Sequence, residues 1–168
     1  KERNYSMLPL VLNLLKTKEL QSGYRTLLSQ LQITILNYII QSNKLEMEKI
    51  KIIIVDDHLL FSQSLSFLIG TFKEFEVIGN YMNGKEFISA LQNNIEIPDI
   101  VLLDVNMPIM DGIETMKKTK ELYPDLKVLA LSVNNDEETI MKMLTSGAKG
   151  YLLKDTTPNL FKEALLEV

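Results

Sequence analysis

Two hydrophobic patterns alternate along the chain from about residue 50 onwards. Short apolar runs have the length and composition of strands that are buried on both faces of a parallel sheet. The stretches between them carry apolar residues three or four positions apart, which is typical of helices that cover such a sheet. Because strand and helix alternate five times, we expect one parallel sheet joined by right-handed crossovers. The apolar runs predict strands at Ile50–Val55, Phe75–Gly79, Ile100–Leu103, Val128–Leu131 and Gly150–Leu153.

Capping and turn residues mark the ends of the predicted helices. Acidic residues suit a helix N-terminus and proline suits a first turn, whereas glycine and asparagine favour helix ends. These signals predict helix starts after His58 and near Gly112, Asp136 and Pro158, and helix ends near Gly70, Asn93, Pro124 and Gly147.

Residues 1–46 do not continue this alternation, so we predict two parts: an N-terminal helical segment at 1–46 and an α/β domain at 47–168. Ser6 can cap a first helix that ends near Gly23, and a second helix is predicted from about Tyr24 to Ser42. The pair is so apolar that it must pack on itself, on the rest of the chain or on another chain.

Composition and charge exclude several classes of site. The chain has no cysteine, which rules out disulfides, thiol catalysis and cysteine-based zinc sites, and its one histidine rules out multi-histidine metal sites. No run reaches the ~18 apolar residues of a membrane span, and no signal peptide is apparent. Residues 1–46 hold six basic and three acidic side chains, whereas residues 47–168 hold twelve and nineteen. An acidic domain of this kind is not expected to bind nucleic acid directly.

Polar side chains with complementary chemistry follow four of the predicted strands. The pair Asp56-Asp57 follows the first strand, Asp104 the third, Ser132 the fourth and Lys154 the fifth. The carboxyl ends of parallel strands meet at one edge of the sheet, where open α/β sheets bind ligands. A carboxylate there is a metal ligand, a nucleophile or a helix cap, and three together repel one another without a cation.

Four motifs carry a resemblance to a known family, and they occur in that family's order and spacing. They are Val55-Asp-Asp-His58, Leu103-Asp-Val-Asn-Met-Pro-Ile-Met-Asp-Gly112, Leu131-Ser132 and Gly147-Ala-Lys-Gly-Tyr-Leu-Leu-Lys-Asp155. Over roughly residues 50–168 the chain resembles the receiver (phosphoacceptor) domain of two-component response regulators. It is most similar to the subfamily with LuxR-type helix-turn-helix outputs. The resemblance implies a flavodoxin-like, doubly wound (βα)5 sheet, here preceded by the two-helix segment.

The resemblance also implies a phosphorylation chemistry centred on Asp104. This residue is the expected nucleophile that becomes an aspartyl phosphate. Mg2+ is the expected cofactor, held by Asp57, Asp104 and the backbone carbonyl of Asn106, with Asp56 acting mostly through water.

Three further residues take family roles on the same resemblance. Lys154 neutralises charge on the phosphoryl group, and Ser132 donates a hydrogen bond to the phosphoryl oxygens. Tyr151 is the switch aromatic that turns inward when the serine hydroxyl moves. The alternatives are a solvated lysine and a half-buried strand tyrosine. His58 is interpreted as a helix-start residue beside the acidic pair rather than a phosphate carrier.

The implied protein is a bacterial, cytoplasmic signalling switch whose partner is a sensor histidine kinase. It catalyses its own phosphorylation and slow dephosphorylation, so it differs from a conventional enzyme. It controls an output, expected to be transcription through a DNA-binding domain absent from this sequence, and homodimer formation is a possible consequence of activation. No membrane partner is expected.

Two alternative functions stay open from the residues alone. A phosphorylation-independent interaction or dimerisation module would be favoured by loss of Lys154 or the acidic pair, and neither is lost. A Mg2+-dependent phosphohydrolase of the haloacid dehalogenase type would carry an Asp-x-Asp motif, from which Asn106 departs.

The origin of residues 1–46 is likewise open. A structural appendage, a dimerisation hairpin and a fused partner all fit, since Met47 resembles an initiator and Leu45-Glu46 resembles a cloning scar. The hairpin of a sensor kinase fits poorly, because the segment has no histidine to phosphorylate.

Overall fold

The structure is a computed structural model that describes residues 29–39, 48–93 and 95–168. The chain divides into two compact units, Lys1–Met47 and Glu48–Val168. In the first unit, residues 29–39 form a helix, which agrees with the second predicted helix over that range. The first predicted helix lies outside the described residues. Within the described part of the chain, no helix has both the length and the apolar character needed to cross a membrane.

Five parallel strands form a single sheet in the second unit. Its spatial order, β2-β1-β3-β4-β5, is that of flavodoxin-like doubly wound folds, so the predicted fold class is confirmed. Such folds bind ligands in the crevice where the strand order reverses, which here lies between β1 and β3. The strands are β1 (Ile50–Val55), β2 (Phe75–Tyr81), β3 (Ile100–Asp104), β4 (Lys127–Ser132) and β5 (Gly150–Leu153).

Strand β2 continues past Gly79, where the sequence pattern predicted its end. A register shift between Ile52 and Ile53 inserts an extra residue into β2, and beyond it Asn80 and Tyr81 still pair with β1. A bulge is readily accommodated here because β2 is an edge strand. The prediction was wrong because pairing with β1, rather than local propensity, determines where the strand ends.

The helices begin close to the ends of the strands. Side chains of Asn83, Asp111 and Asp136 each accept a hydrogen bond from the backbone N–H three residues further along, which caps the second, third and fourth helices of this unit. These caps fix the loops at the carboxyl edge of the sheet. The helices are α1 (Leu59–Gly70), α2 (Gly84–Gln92), α3 (Gly112–Leu122), α4 (Glu137–Thr145) and α5 (Pro158–Glu167).

Apolar layers cover both faces of the sheet. Alternate residues of β1 and β3 enter different layers: Ile53 and Val101 belong to one, and Ile54 and Leu102 to the other. All five residues of β3 are buried. A carboxylate at the end of β3 is therefore shielded from water, which gives its neighbours a strong electrostatic influence.

Candidate functional site

Three carboxylates meet at the carboxyl edge of the sheet. Asp56 and Asp57 directly follow β1, and Asp104 is the last residue of the neighbouring strand β3. Asp56 and Asp104 retain only 1% and 2% of their accessible surface, whereas Asp57 is partly exposed. Together with His58, these residues place possible ligand atoms within 4.8 Å of one another. The structure thus brings together the acidic residues that the strand pattern placed at one edge.

Lys154 lies against two of these carboxylates. Its Nζ is 2.7 Å from Asp56 Oδ2 and 2.9 Å from Asp104 Oδ2, and its side chain is 9% exposed. The residue directly follows β5, and its backbone N–H donates a hydrogen bond to the carbonyl of Ser132 at 2.8 Å. The solvated-lysine interpretation of Lys154 is therefore wrong, since its ammonium lies inside the acidic cluster.

Burial dominates the electrostatics of Asp104. It raises the pKa of this carboxyl above the ordinary value of 3.8, because the charged form loses hydration. The ammonium of Lys154 acts in the opposite direction, and repulsion from Asp56 adds to the rise in pKa. Ionisation of Asp104 is therefore less favourable in the folded protein than in the unfolded chain.

The raised pKa of Asp104 predicts a pH-dependent effect on stability. In metal-free buffer we expect Asp104→Asn to increase the free energy of unfolding at neutral pH, because it removes a buried charge. The folded wild type binds a proton at Asp104 more readily than the unfolded chain does. The advantage of the variant should therefore shrink as the pH falls through the raised pKa towards 3.8.

Urea denaturation of both chains across this pH range measures that difference. The control is Asp125→Asn, at an exposed position outside the site. An advantage of Asp104→Asn that grows as the pH falls would contradict the prediction.

His58 directly precedes α1, and its side chain also contacts the acidic cluster. Its Nδ1 lies 3.1 Å from Asp57 Oδ1, 3.3 Å from Asp56 Oδ1 and 3.9 Å from Asp104 Oδ2. Its backbone N–H also donates to Asp56 Oδ1 at 2.8 Å. The adjacent acidic pair predicted part of this arrangement, but the approach to Asp104 depends on the pairing of β1 with β3.

The predicted switch residues, Ser132 of β4 and Tyr151 of β5, both contact the loop between β4 and α4. Ser132 is fully buried, and its Oγ accepts a hydrogen bond from the N–H of Asn134 at 3.1 Å. The Oη of Tyr151 donates to the carbonyl of Asn134 at 2.7 Å, while its ring is half-buried. A single loop residue thus connects the serine hydroxyl to the tyrosine, and the switch role of Tyr151 stays a prediction.

The loop after Asp104 is tightly turned. The N–H of Asn106 donates to Asp104 Oδ1 at 3.3 Å, which is long for this type of bond. Ile109 adopts a φ of 71°, which is rare for a β-branched residue, and the N–H of Met110 donates to the carbonyl of Pro108 at 2.8 Å. This turn brings Gly112, the first residue of α3, against the backbone of Asp104 and Val105.

The residues present fit a divalent cation. Among the described residues, no donor makes a well-oriented hydrogen bond to Asp56 Oδ2, Asp57 Oδ1 or Asp104 Oδ2, although all three atoms are buried. The contacts of Lys154 with two of them meet the distance of an ion pair but not the geometry of a hydrogen bond. Clustered carboxylate oxygens with unused lone pairs are typical ligands of hard cations.

One neighbour of the site had no signal in the sequence. Phe61 belongs to the apolar pattern of α1, yet its ring lies beneath the ammonium of Lys154, 4.8 Å from Nζ to the ring centroid. Periodicity assigns such a residue to the core, and no spacing rule connects it to a lysine that follows β5.

The fold and the site define a flavodoxin-like domain with carboxylates and a lysine at the crevice of its sheet. The chain belongs to the response regulator receiver domain family, whose profile matches residues 52–166. The transcriptional regulatory protein DegU of Brevibacillus brevis is 37% identical over 117 residues, which make up 70% of this chain and 49% of that protein. The chain spans about half the length of the first curated relatives it matches.

Two solved structures support the same assignment. The signal receiver domain of the putative response regulator NarL from Mycobacterium tuberculosis is 28% identical, with a TM-score of 0.66 over 71% of this chain and 95% of that one. A CheX-CheY-BeF3-Mg2+ complex from Borrelia burgdorferi contains a chain that is 26% identical, with a TM-score of 0.65 over 70% of this chain and 87% of that one.

Proposed function

We propose that this receiver domain accepts a phosphoryl group on Asp104 from a sensor histidine kinase. The observation that carries the proposal is the environment of the Asp104 carboxylate. It is almost fully buried, it ends a central strand at the ligand crevice, and its Oδ2 lies 2.9 Å from the ammonium of Lys154. A carboxylate with a cation beside it and no well-oriented hydrogen bond to that oxygen suits nucleophilic attack more than a structural role.

The proposed reaction is a phosphoryl transfer between two side chains. A carboxylate oxygen of Asp104 attacks phosphorus, and the bond from phosphorus to the kinase histidine nitrogen breaks. That nitrogen leaves with the bonding electron pair and takes up a proton. The product is an acyl phosphate on Asp104, and attack by water later returns the carboxylate and releases inorganic phosphate. Lys154 holds positive charge at the place where negative charge shifts during transfer.

Mg2+ is the proposed cofactor of this site. Asp57, Asp104 and the backbone carbonyl of Asn106 would hold it, with Asp56 acting mostly through water. When bound, it supplies charge neutralisation for the transferring phosphoryl group. Support comes from the buried carboxylate oxygens that accept no well-oriented hydrogen bond from the described residues. It also comes from the Borrelia burgdorferi neighbour, whose complex includes Mg2+ and BeF3.

The proposed readout is a change at the β4–α4 loop. Ser132 would donate its hydroxyl hydrogen to the phosphoryl oxygens. Its Oγ now accepts a hydrogen bond from the N–H of Asn134, so movement of the side chain towards the phosphoryl group would change its contact with this loop residue. Because Tyr151 is bonded to the same loop residue, a shift of the loop would reach β5. Homodimer formation through this surface is part of the proposal.

The output and the domain limits are also proposals. The matched relatives include transcriptional regulatory proteins in which the aligned region makes up only 49% of the length. We therefore propose control of transcription through a DNA-binding domain of the LuxR type, in the cytoplasm. We further propose that residues 47–168 form the receiver domain and that residues 1–46 are a separate helical segment.

Intact-mass spectrometry with acetyl phosphate tests the proposed chemistry. With Mg2+ we expect the chain to gain one phosphoryl group that base removes. With EDTA the rate of adduct formation should fall by at least about a hundredfold, since charge neutralisation is lost. Failure to form the adduct, both in the full chain and in a chain beginning at Met47, would favour a phosphorylation-independent interaction module.

A further inference from the structure

The ammonium of Lys154 has an aromatic neighbour in addition to its two carboxylates. Its Nζ lies over the ring of Phe61, 4.8 Å from the centroid. Phe61 is half-buried in the first turn of α1, and the side chain of Lys154 is 9% exposed. The negative face of an aromatic ring attracts a cation, and the attraction is stronger where water is largely excluded.

A cavity beside this contact gives the ring a second effect. The cavity has a volume of about 140 Å3 and is bordered by both Phe61 and Lys154. Most of its other walls are apolar, and they include Leu65, Leu68 and Phe161. A lysine head group on a flexible stem can turn into such a space if nothing holds it. Water entering there would also weaken the attraction between the ammonium and the carboxylates, because it raises the local dielectric constant.

We infer that Phe61 is a positioning residue for Lys154. Its ring holds the ammonium beside Asp56 and Asp104 through a cation–π contact. It also forms one wall of the adjoining cavity, which a smaller side chain would enlarge towards the lysine. Phe61 touches no reacting atom and acts only through Lys154. The inference rests on the proposed function, in which Lys154 neutralises charge on the transferring phosphoryl group.

Three variants of the chain separate positioning from simple packing. Phe61→Leu keeps an apolar side chain but removes the aromatic face, and Phe61→Tyr keeps that face. Phe161→Leu removes an aromatic ring from another wall of the same cavity. In the described part of the chain, the cation–π contacts join Lys154 to Phe61 and Lys162 to Phe72, so Phe161 is a matched control.

Two measurements apply to each variant. The first is the NMR shift of the Lys154 ε-methylene protons, assigned by their loss in Lys154→Gln, because a nearby ring face moves these signals upfield. The second is the rate of phosphoryl adduct formation with acetyl phosphate and Mg2+. We expect Phe61→Leu to abolish the upfield shift and to slow the reaction about two- to thirtyfold. Phe61→Tyr should keep both the upfield shift and the wild-type reaction rate. Phe161→Leu should also keep both, while lowering the free energy of unfolding.

The outcomes that overturn the inference are distinct from those that overturn the proposed function. If Phe61→Leu reacts at the wild-type rate, or if Phe61→Tyr is as slow as Phe61→Leu, the ring does not position the lysine. If Lys154 shows no upfield shift in the wild type, the contact is absent in solution. If neither the wild type nor the chain beginning at Met47 forms an adduct, the proposed function fails, whereas the NMR shift still shows whether Lys154 contacts the ring.

Discussion

Asp104→Asn will accept no phosphoryl group from acetyl phosphate, whereas the wild type will gain one. The substitution preserves the shape of the side chain but replaces the carboxylate nucleophile with an amide, whose oxygen is a much weaker nucleophile. The site offers other carboxylates, and Asp56 also contacts Lys154, but among the described residues only Asp104 is a carboxylate that ends a fully buried strand. Intact-mass spectrometry of both chains under identical conditions measures the result.

Two controls make that experiment decisive. Asp125→Asn, at an exposed position on the chain, should form the adduct like the wild type. Circular dichroism of Asp104→Asn should show an intact fold, because the change removes a charge that is unfavourable when buried. An adduct on Asp104→Asn of the same mass and base lability would mean that another carboxylate is the acceptor.

Gly112→Ala will destabilise the domain by about 3 kcal/mol, since the added methyl group would overlap backbone atoms of Asp104 and Val105. Helix α3 begins at Gly112, whose N–H donates to the carbonyl of Val105 at 2.9 Å. A Cβ at this position would collide with the carbonyl oxygen of Asp104 and lie 2.7 Å from the Cα of Val105. Backbone atoms cannot rotate away as a side chain can, so the start of α3 and the end of β3 must separate.

Urea denaturation measures this loss of stability, with Gly70→Ala as the matched control. Gly70 is the last residue of α1, and a Cβ there would meet no atom within 4 Å. We expect that variant to be as stable as the wild type, or more stable by up to about 1 kcal/mol. If both variants unfold at the same urea concentration, the close approach at Gly112 relaxes at little cost. Gly112→Ala should also slow adduct formation, because Asp104 moves with its carbonyl.

The hydrophobic pattern predicted most of the architecture because strands buried on both faces form apolar runs. The predicted limits of β1 and β5, and the start of α1, agree with the structure. The prediction failed for β2, where Gly79 suggested an end but pairing with β1 extends the strand to Tyr81. Local propensity is decisive only where no neighbouring strand imposes a longer pairing.

The members of the acidic site could be predicted because they stand at the ends of the predicted strands. Carboxyl ends of parallel strands share one edge, so the polar residues at the ends of β1, β3 and β5 were expected at the same edge of the sheet. The distances within the site could not be predicted, since they depend on strand order and on side-chain packing. The contact of Lys154 with Asp56, rather than with Asp57, is an example.

Taken by itself, the sequence determined the alternation of strands and helices and the family motifs at the strand ends, because periodicity and spacing are local properties of a chain. Only the tertiary structure decided which groups share the low-dielectric crevice: the ring of Phe61 under the Lys154 ammonium, and the imidazole of His58 beside Asp104. Residues far apart in sequence, or on different strands, meet through sheet order and core packing. These are properties of the whole fold, and they determine how strongly each charge in the site acts on the others.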